Sequence, residues 1–259
     1  MPFRLALPLT GTMGRMGSVT IRTGRVGGRS ARWRTAGSGP PLVLVHGLAG
    51  SWRWWRPLLP LLAAERTVHA VDLPGFGRLP RARPFALDDA VEWLGAWFGA
   101  AGLERAPVVG HSLGGLVAAR LAAARPELVE RLVLVTPAGV PGPGPVGMAP
   151  PLARAVLSST PRFLALLVRD AARCGPVTLA TAALELLAAD ARADVAGVRV
   201  PTLVVVGRND PLVPPSHGDE LVRALPHAEL RQLDSGHVPM VERPRELSRE
   251  LLAFVRPGA

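Results

Sequence analysis

Apolar and polar positions change their period several times along this chain, and each change marks a different kind of element. Residues 18–26 and 30–35 alternate apolar and polar around Gly27-Gly28, the period of an antiparallel hairpin at a sheet edge. At Pro41 the alternation gives way to the unbroken apolar run Pro41-Leu-Val-Leu-Val45, which predicts a strand covered on both faces. The same signal returns at 67–73, in the β-branched segment before Gly110, at 131–136 and at 201–206, with a last short strand over 229–233. Helical segments fill the intervals. Residues 51–65 hold Trp52, Trp54, Trp55 and four leucines in a helix broken around Pro57 and Pro60. Residues 87–101 start with Asp88 and Asp89, which suit a positive helix N-terminus, and 116–124, 219–224 and 242–254 follow. Strands alternating with helices make βαβ units, so the predicted fold class is α/β: a mostly parallel sheet with helices on both faces.

The alternation stops at Val140. Residues 140–198 open with Pro141-Gly-Pro-Gly-Pro145 and continue as Leu/Ala-rich helical segments over 151–158, 162–173 and 177–190, with no strand. This predicts a core of 18–139 and 199–259 carrying a helical cap inserted at 140–198. Residues 1–17 are expected to be disordered. Readable pattern begins near Ser18, so Met13 or Met16 is a candidate start, and Pro2 and Pro8 interrupt the short apolar stretch before Thr10 without a convincing cleavage site. The expected localisation is cytoplasmic.

Composition narrows the function classes. At 259 residues and 48% hydrophobic the chain can bury a large core, and with 5% aromatics and no tyrosine that core must be mostly Leu, Val and Ala. Cys174 is the sole cysteine, which excludes an internal disulfide and a multi-thiolate metal site; beside Gly175 and Pro176 it is expected to be a buried, unreactive thiol. A net charge of +10 invites a nucleic-acid reading. Every one of the 30 basic residues is arginine, however, and they are scattered without a basic block or interleaved aromatics, so solvated faces and no nucleic-acid partner are expected. Arg154, Arg162, Arg169 and Arg173 along the insertion are assigned to such a face, with membrane contact and a substrate carboxylate as the less favoured roles.

The chemistry centres on Ser112. Gly110-His-Ser-Leu-Gly114 lies between a strand and a helix, so the hydroxyl sits at the apex of a sharp turn, where a Cβ at Gly110 or Gly114 would clash with neighbouring backbone. A serine hydroxyl needs a base, and the base works best when a buried carboxylate orients it. Asp210 follows the strand 201–206 and His237 follows 229–233, and in a parallel sheet the carboxyl ends of the strands share one edge. An oxyanion hole needs two backbone N–H groups. Leu113, directly after the serine, supplies one; Leu48 supplies the other, because His46-Gly47 lets the loop turn sharply off the first buried strand.

Together these landmarks resemble the α/β-hydrolase superfamily: His46-Gly47 with Ser51 and Trp55, Asp72-Leu-Pro-Gly-Phe-Gly77, Gly110-His-Ser-Leu-Gly-Gly115, Gly207-Arg-Asn-Asp-Pro211 and Gly236-His237, in that order over about 18–255. The resemblance implies a cap-bearing serine hydrolase with the triad Ser112, Asp210 and His237. Serine at 112 argues against haloalkane dehalogenases and the usual epoxide hydrolases of this fold, which use aspartate there. The implied reaction is hydrolysis of carboxylic esters, thioesters or related small acyl compounds with an apolar part. Carbon–carbon bond hydrolysis or cofactor-free lyase chemistry at the same triad is the alternative within enzymes; a ligand-binding or interaction protein of the same fold is the alternative outside them. No cofactor or metal is expected, since no histidine/carboxylate spacing suggests a metal site and the glycines after Val45 are not a dinucleotide fingerprint. The oligomeric state is left open.

The remaining polar candidates receive structural roles. His46 and His111 are expected to hydrogen-bond locally inside their turns, His69 to be a satisfied strand histidine, and His217 and His227 to face solvent. Asp72 is expected to hold its turn. Asp219 and Asp234 are the alternative carboxylates, but neither ends a long buried strand. Thr136 leaves the other strand end that some family members use for their acid without one.

Overall fold

The computed structural model describes residues 13–16, 19–77, 84–141, 147 and 149–256. Most of the Pro/Gly run expected to open the insertion lies outside them, as do residues 1–12. The strands are β1 (Met13–Met16), β2 (Val19–Val26), β3 (Arg29–Ala36), β4 (Pro41–Val45), β5 (Thr67–Val71), β6 (Ala106–His111), β7 (Val129–Val135), β8 (Thr202–Gly207) and β9 (Ala228–Leu233). They form one sheet in the order β1-β2-β3-β5-β4-β6-β7-β8-β9. From β5 to β9 all neighbours are parallel; β1, β2 and β3 are antiparallel additions at one edge. β1, within the segment expected to be disordered, pairs with β2, Met13 opposite Ile21 and Met16 opposite Val19. Four residues are too few to show a period of two.

The parallel strands are apolar throughout because each face meets helices. Val43 and Val45 of β4 and Val204 and Val206 of β8 enter one core cluster, while Leu42, Leu44, Leu203 and Val205 enter the other. Each such side chain, once fully buried, contributes roughly 1.5–3 kcal/mol. The first cluster holds α2 (Leu87–Ala101), α3 (Leu113–Ala124), α6 (Ala191–Ala196) and α7 (Pro215–Ala224). The second holds a 3-10 turn at Trp52–Trp55, the single turn α1 (Leu59–Leu62), α8 (Pro239–Glu242) and α9 (Pro244–Val255).

The chain goes from β4 to one neighbour, β5, then returns to the other side of β4 as β6 and continues outward to β9. Connections therefore diverge at β4 and β6, and loops leaving the carboxyl ends of these strands open a crevice between them. The loop at Gly47 and the turn at Ser112 leave from there.

Between β7 and β8 the described chain is helical: α4 (Ala149–Ser158), α5 (Pro161–Ala188) and α6. Within α5 the helix breaks at Gly175, φ 75 and ψ 163, before Pro176, close to the expected interruption. α6 goes beyond the sequence reading; Asp190, read as the end of a helix, instead starts a new one by accepting from Arg192 N–H. Three hydrogen bonds tie α5 to the core: Ser51 Oγ to Asp170 Oδ2 (2.6 Å), Phe85 N–H to Thr181 Oγ1 (3.0 Å) and Leu87 N–H to Glu185 Oε2 (3.2 Å). α4 has no buried residue. Cys174 is buried, its thiol directed at the Asp170 carbonyl. No helix of the described residues is long and apolar enough to cross a membrane.

His69 on β5 is buried, edge-on to Trp97 at 6.0 Å, and its Nδ1 has no partner. Burial first, then the charge of Arg22, pushes its imidazole down to about 4. A folded-state value below the unfolded 6.5 means that stability present above pH 6.5 is lost as pH falls through about 4. His69→Phe, which keeps a ring against Trp97, is expected to recover ~2–3 kcal/mol of that acid loss, read from urea unfolding at pH 7.5 and about 4. An unchanged difference between the two pH values would remove His69 as its source.

Candidate active site

β6 ends in glycine and histidine and α3 begins one residue after Ser112, so the chain reverses within that residue. Ser112 adopts φ 50 and ψ −118, a conformation that costs a side-chain-bearing residue about 1–3 kcal/mol. Its neighbours over-determine it: Ser112 N–H donates to Val135 O (3.0 Å), and its carbonyl accepts from Gly115 (2.9 Å) and Leu116 (3.3 Å). A Cβ on Gly110 would lie 2.3 Å from Gly114 O, and one on Gly114 would lie 2.4 Å from His46 O, so both positions must be glycine.

The three residues expected to act together lie in one row. His237 Nδ1 is 2.8 Å from Asp210 Oδ2, and His237 Nε2 is 3.2 Å from Ser112 Oγ. Asp210 is buried, and its other oxygen accepts the N–H groups of Leu212 (2.8 Å) and Val213 (3.0 Å). A carboxylate only accepts, so the His237 proton belongs on Nδ1, leaving the Nε2 lone pair facing the serine.

His237 is also held by its main chain. Its carbonyl accepts from His111 Nε2 (2.8 Å) and Thr136 Oγ1 (3.0 Å), and the flanking N–H groups of Gly236 (2.6 Å) and Val238 (3.4 Å) donate to the Glu242 carboxylate. This corrects the expectation for His111, which bonds across 126 residues rather than within its turn. Burial, reinforced by the nearby His237, holds the His111 imidazole well below its ordinary value, so it is neutral with its proton on Nε2. Removing the donor with His111→Leu is expected to lower kcat ~10-fold or more, because a shift in the base is felt in the reaction step. Steady-state kinetics showing an effect confined to KM would contradict this role.

On the facing loop Gly47-Leu-Ala-Gly50 forms a β-turn, Gly50 N–H to Gly47 O at 3.0 Å, with Ala49 at φ 60. The sharp turn expected at His46-Gly47 thus falls at Ala49. Gly47 serves close approach: a Cβ there would lie 2.8 Å from His111 Nδ1 and 3.1 Å from Ser112 Cβ. His46 Nδ1 donates to Gly47 O (2.8 Å) and Nε2 accepts from Leu73 N–H (3.1 Å), fixing a neutral ring; burial lowers its pKa. Leu48 follows Gly47, which approaches Ser112, and Leu113 follows Ser112 with an N–H at the start of α3 that has no acceptor within the helix.

A cavity of about 350 Å³ opens in front of Ser112. Leu48, Trp54 and Val238 line it from the core, and Leu152, Phe163 and Leu186 from the insertion. Its wall is mostly apolar, with polar groups from His111, Ser112, His237 and Glu242 at one side and from Ser158 and Ser159 of the insertion. Asp72 is buried and accepts Trp52 N–H (2.8 Å), consistent with a structural role; burial raises its pKa. Asp219 and Asp234 are away from this row: Asp219 is exposed, and Asp234 pairs with Arg243 (3.3 Å) and accepts from Asn209 (2.9 Å). His227 is exposed as expected, whereas His217 is half-buried with a lowered pKa, caused first by burial. The sequence reading passed over Glu242, Thr136 as a donor, and Asp170. Only the position of Thr136 at the end of β7, on the sheet edge that also carries His237 beyond β9, pointed to any of them.

Residues 42–250 match the model of the alpha/beta hydrolase family. The chain belongs to this family. It is 33% identical over 247 residues to a pimeloyl-[acyl-carrier protein] methyl ester esterase of Aeromonas hydrophila, covering 85% of this chain and 96% of the relative. It is 31% identical to a putative carbamate hydrolase of Pseudomonas savastanoi, covering 83% and 93%. Among solved structures, an enol-lactonase of Burkholderia xenovorans superposes with a TM-score of 0.78 at 25% identity, covering 90% of this chain and 98% of that one. These relatives are hydrolases, and this alpha/beta hydrolase is an enzyme of the same broad class.

Proposed function

We propose that the protein is a serine hydrolase of carboxylic esters, thioesters or related acyl compounds, acting through an acyl-enzyme. The row Ser112 Oγ, His237 Nε2, Nδ1 and Asp210 Oδ2, at the base of an apolar cavity, carries this reading. Ser112 Oγ attacks the carbonyl carbon as His237 Nε2 takes its proton; Asp210 stabilises the resulting imidazolium. The N–H groups of Leu48 and Leu113 hold the tetrahedral oxyanion, a contribution of about 3 kcal/mol per donor. His237 then protonates the leaving alcohol or thiol. Water, deprotonated by the same nitrogen, attacks the acyl-serine, and its collapse returns the proton to Ser112 and releases the acid.

The ester chemistry of the pimeloyl methyl ester esterase and of the enol-lactonase supports an oxygen-ester substrate. The apolar lining favours an uncharged acyl or alkyl group of modest size. The test is a fluorophosphonate probe with peptide mapping, run beside aryl esters of increasing acyl length. The adduct is expected on Ser112, with turnover declining once the chain exceeds the cavity. An adduct on another serine, or none together with no turnover across the panel, would overturn the assignment.

A further inference from the structure

Among the described residues, the large apolar side chains that stay exposed are Leu152, Leu157, Val168, Val177, Leu184 and Leu187, and all six lie on α4 and α5. In the second half of α5, Val177, Ala180, Leu184 and Leu187 follow at helical spacing on the outer side, opposite the buried Thr178 and Ala182, with no charge in the stripe. Leu157 of α4 is 85% exposed. Leu152 and Leu187 are exposed and also line the cavity, so its mouth opens onto this surface.

The charges on these helices have one sign toward solvent. Arg154, Arg162 and Arg169 are exposed and Arg173 half-buried. Of the 20 acidic residues in the chain, α4 and α5 hold Asp170, which is buried against Ser51 and pairs with Arg169 and Arg173 (3.5 Å each), and Glu185, which accepts the Leu87 N–H; Arg154 and Arg162 carry the outward charge. Exposed apolar side chains on two helices whose solvent-facing charges are arginine match a layer that is apolar inside and anionic outside. It does not match a second copy of itself, because a symmetric pair through one patch would set arginine against arginine.

We propose that the outer surface of α4 and α5 adsorbs to anionic lipid bilayers, so that the cavity takes its substrate, an ester dissolved in the lipid, through the mouth between Leu152 and Leu187. The substrate part rests on the serine-hydrolase reading; the adsorption does not.

Co-sedimentation of the full chain with phosphatidylcholine vesicles, alone or with about 30% phosphatidylglycerol, tests it. Binding is expected to the anionic vesicles only and to fall with salt. Arg154→Gln with Arg162→Gln is expected to weaken it by ~25-fold, about fivefold for each arginine. Leu157→Gln with Leu184→Gln is expected to weaken it at least ~10-fold. Fluorophosphonate labelling and turnover of a short soluble ester are expected to stay unchanged in both variants, since none of the four side chains lines the cavity. No binding, equal binding to both vesicles, or a dimer in solution that Leu157→Gln with Leu184→Gln dissociates would overturn the proposal. Binding without any Ser112 labelling would uphold the adsorbing surface and overturn its link to ester turnover.

Discussion

Ser112→Ala is expected to lower kcat/KM for a soluble aryl ester by about 10⁶-fold, while leaving the melting temperature close to that of the parent. The loss is of the nucleophile alone. Alanine keeps the Cβ that position 112 already carries at φ 50, so the turn and its hydrogen bonds to Val135, Gly115 and Leu116 are unaffected. Residual catalysis comes from Leu48, Leu113 and substrate binding, which the substitution spares. Asp210→Asn is expected to cost about 10⁴-fold by another route. Its Oδ1 is committed to the N–H groups of Leu212 and Val213, so the new amide would turn its NH₂ toward His237 Nδ1. That forces the imidazole proton onto Nε2, where it can no longer receive one from Ser112. Retention of a tenth or more of parental turnover in Ser112→Ala would end the covalent mechanism.

Gly114→Ala is expected to destabilise the fold by about 4 kcal/mol, through overpacking against atoms that cannot move aside. The added methyl would lie 2.4 Å from His46 O and 2.6 Å from Val45 O, both backbone atoms at the end of a central strand. Separation would drive α3 away from β4 and move Ser112 relative to Leu48. Chemical denaturation measures the loss, which should come with a fall in fluorophosphonate labelling; a variant within about 1 kcal/mol of the parent would show that α3 can shift freely.

The core was legible in the sequence because the parallel strands are buried on both faces. Pro41–Val45 and Thr202–Gly207 announce themselves as apolar runs, and chain order brings the residues after them to one sheet edge. Ser112, Asp210 and His237 stand out because each punctuates a strand end with glycine nearby. What escaped is carried by single long-range hydrogen bonds, which leave no period. His111 looked like part of a turn, yet its ring reaches the His237 carbonyl; Glu242 looked like the start of a helix, yet it receives the two N–H groups around His237. β1 is too short and α6 too closely preceded by another helix for a pattern to form. The outer stripe of α5 reads from sequence as a core-facing helix, since apolar spacing does not say which side a helix presents.

Glu185 sits in the region expected to govern substrate choice, yet its carboxylate serves α2, which starts at Leu87 behind Ala86, a residue with no side chain able to cap a helix. Thr181 does the same for Phe85. A chimaera that exchanges this insertion for that of another hydrolase would therefore leave unanswered the Leu87 donor that opens a core helix and the Phe85 donor just ahead of it. Re-targeting the enzyme by grafting should succeed only when the graft supplies acceptors at these two positions.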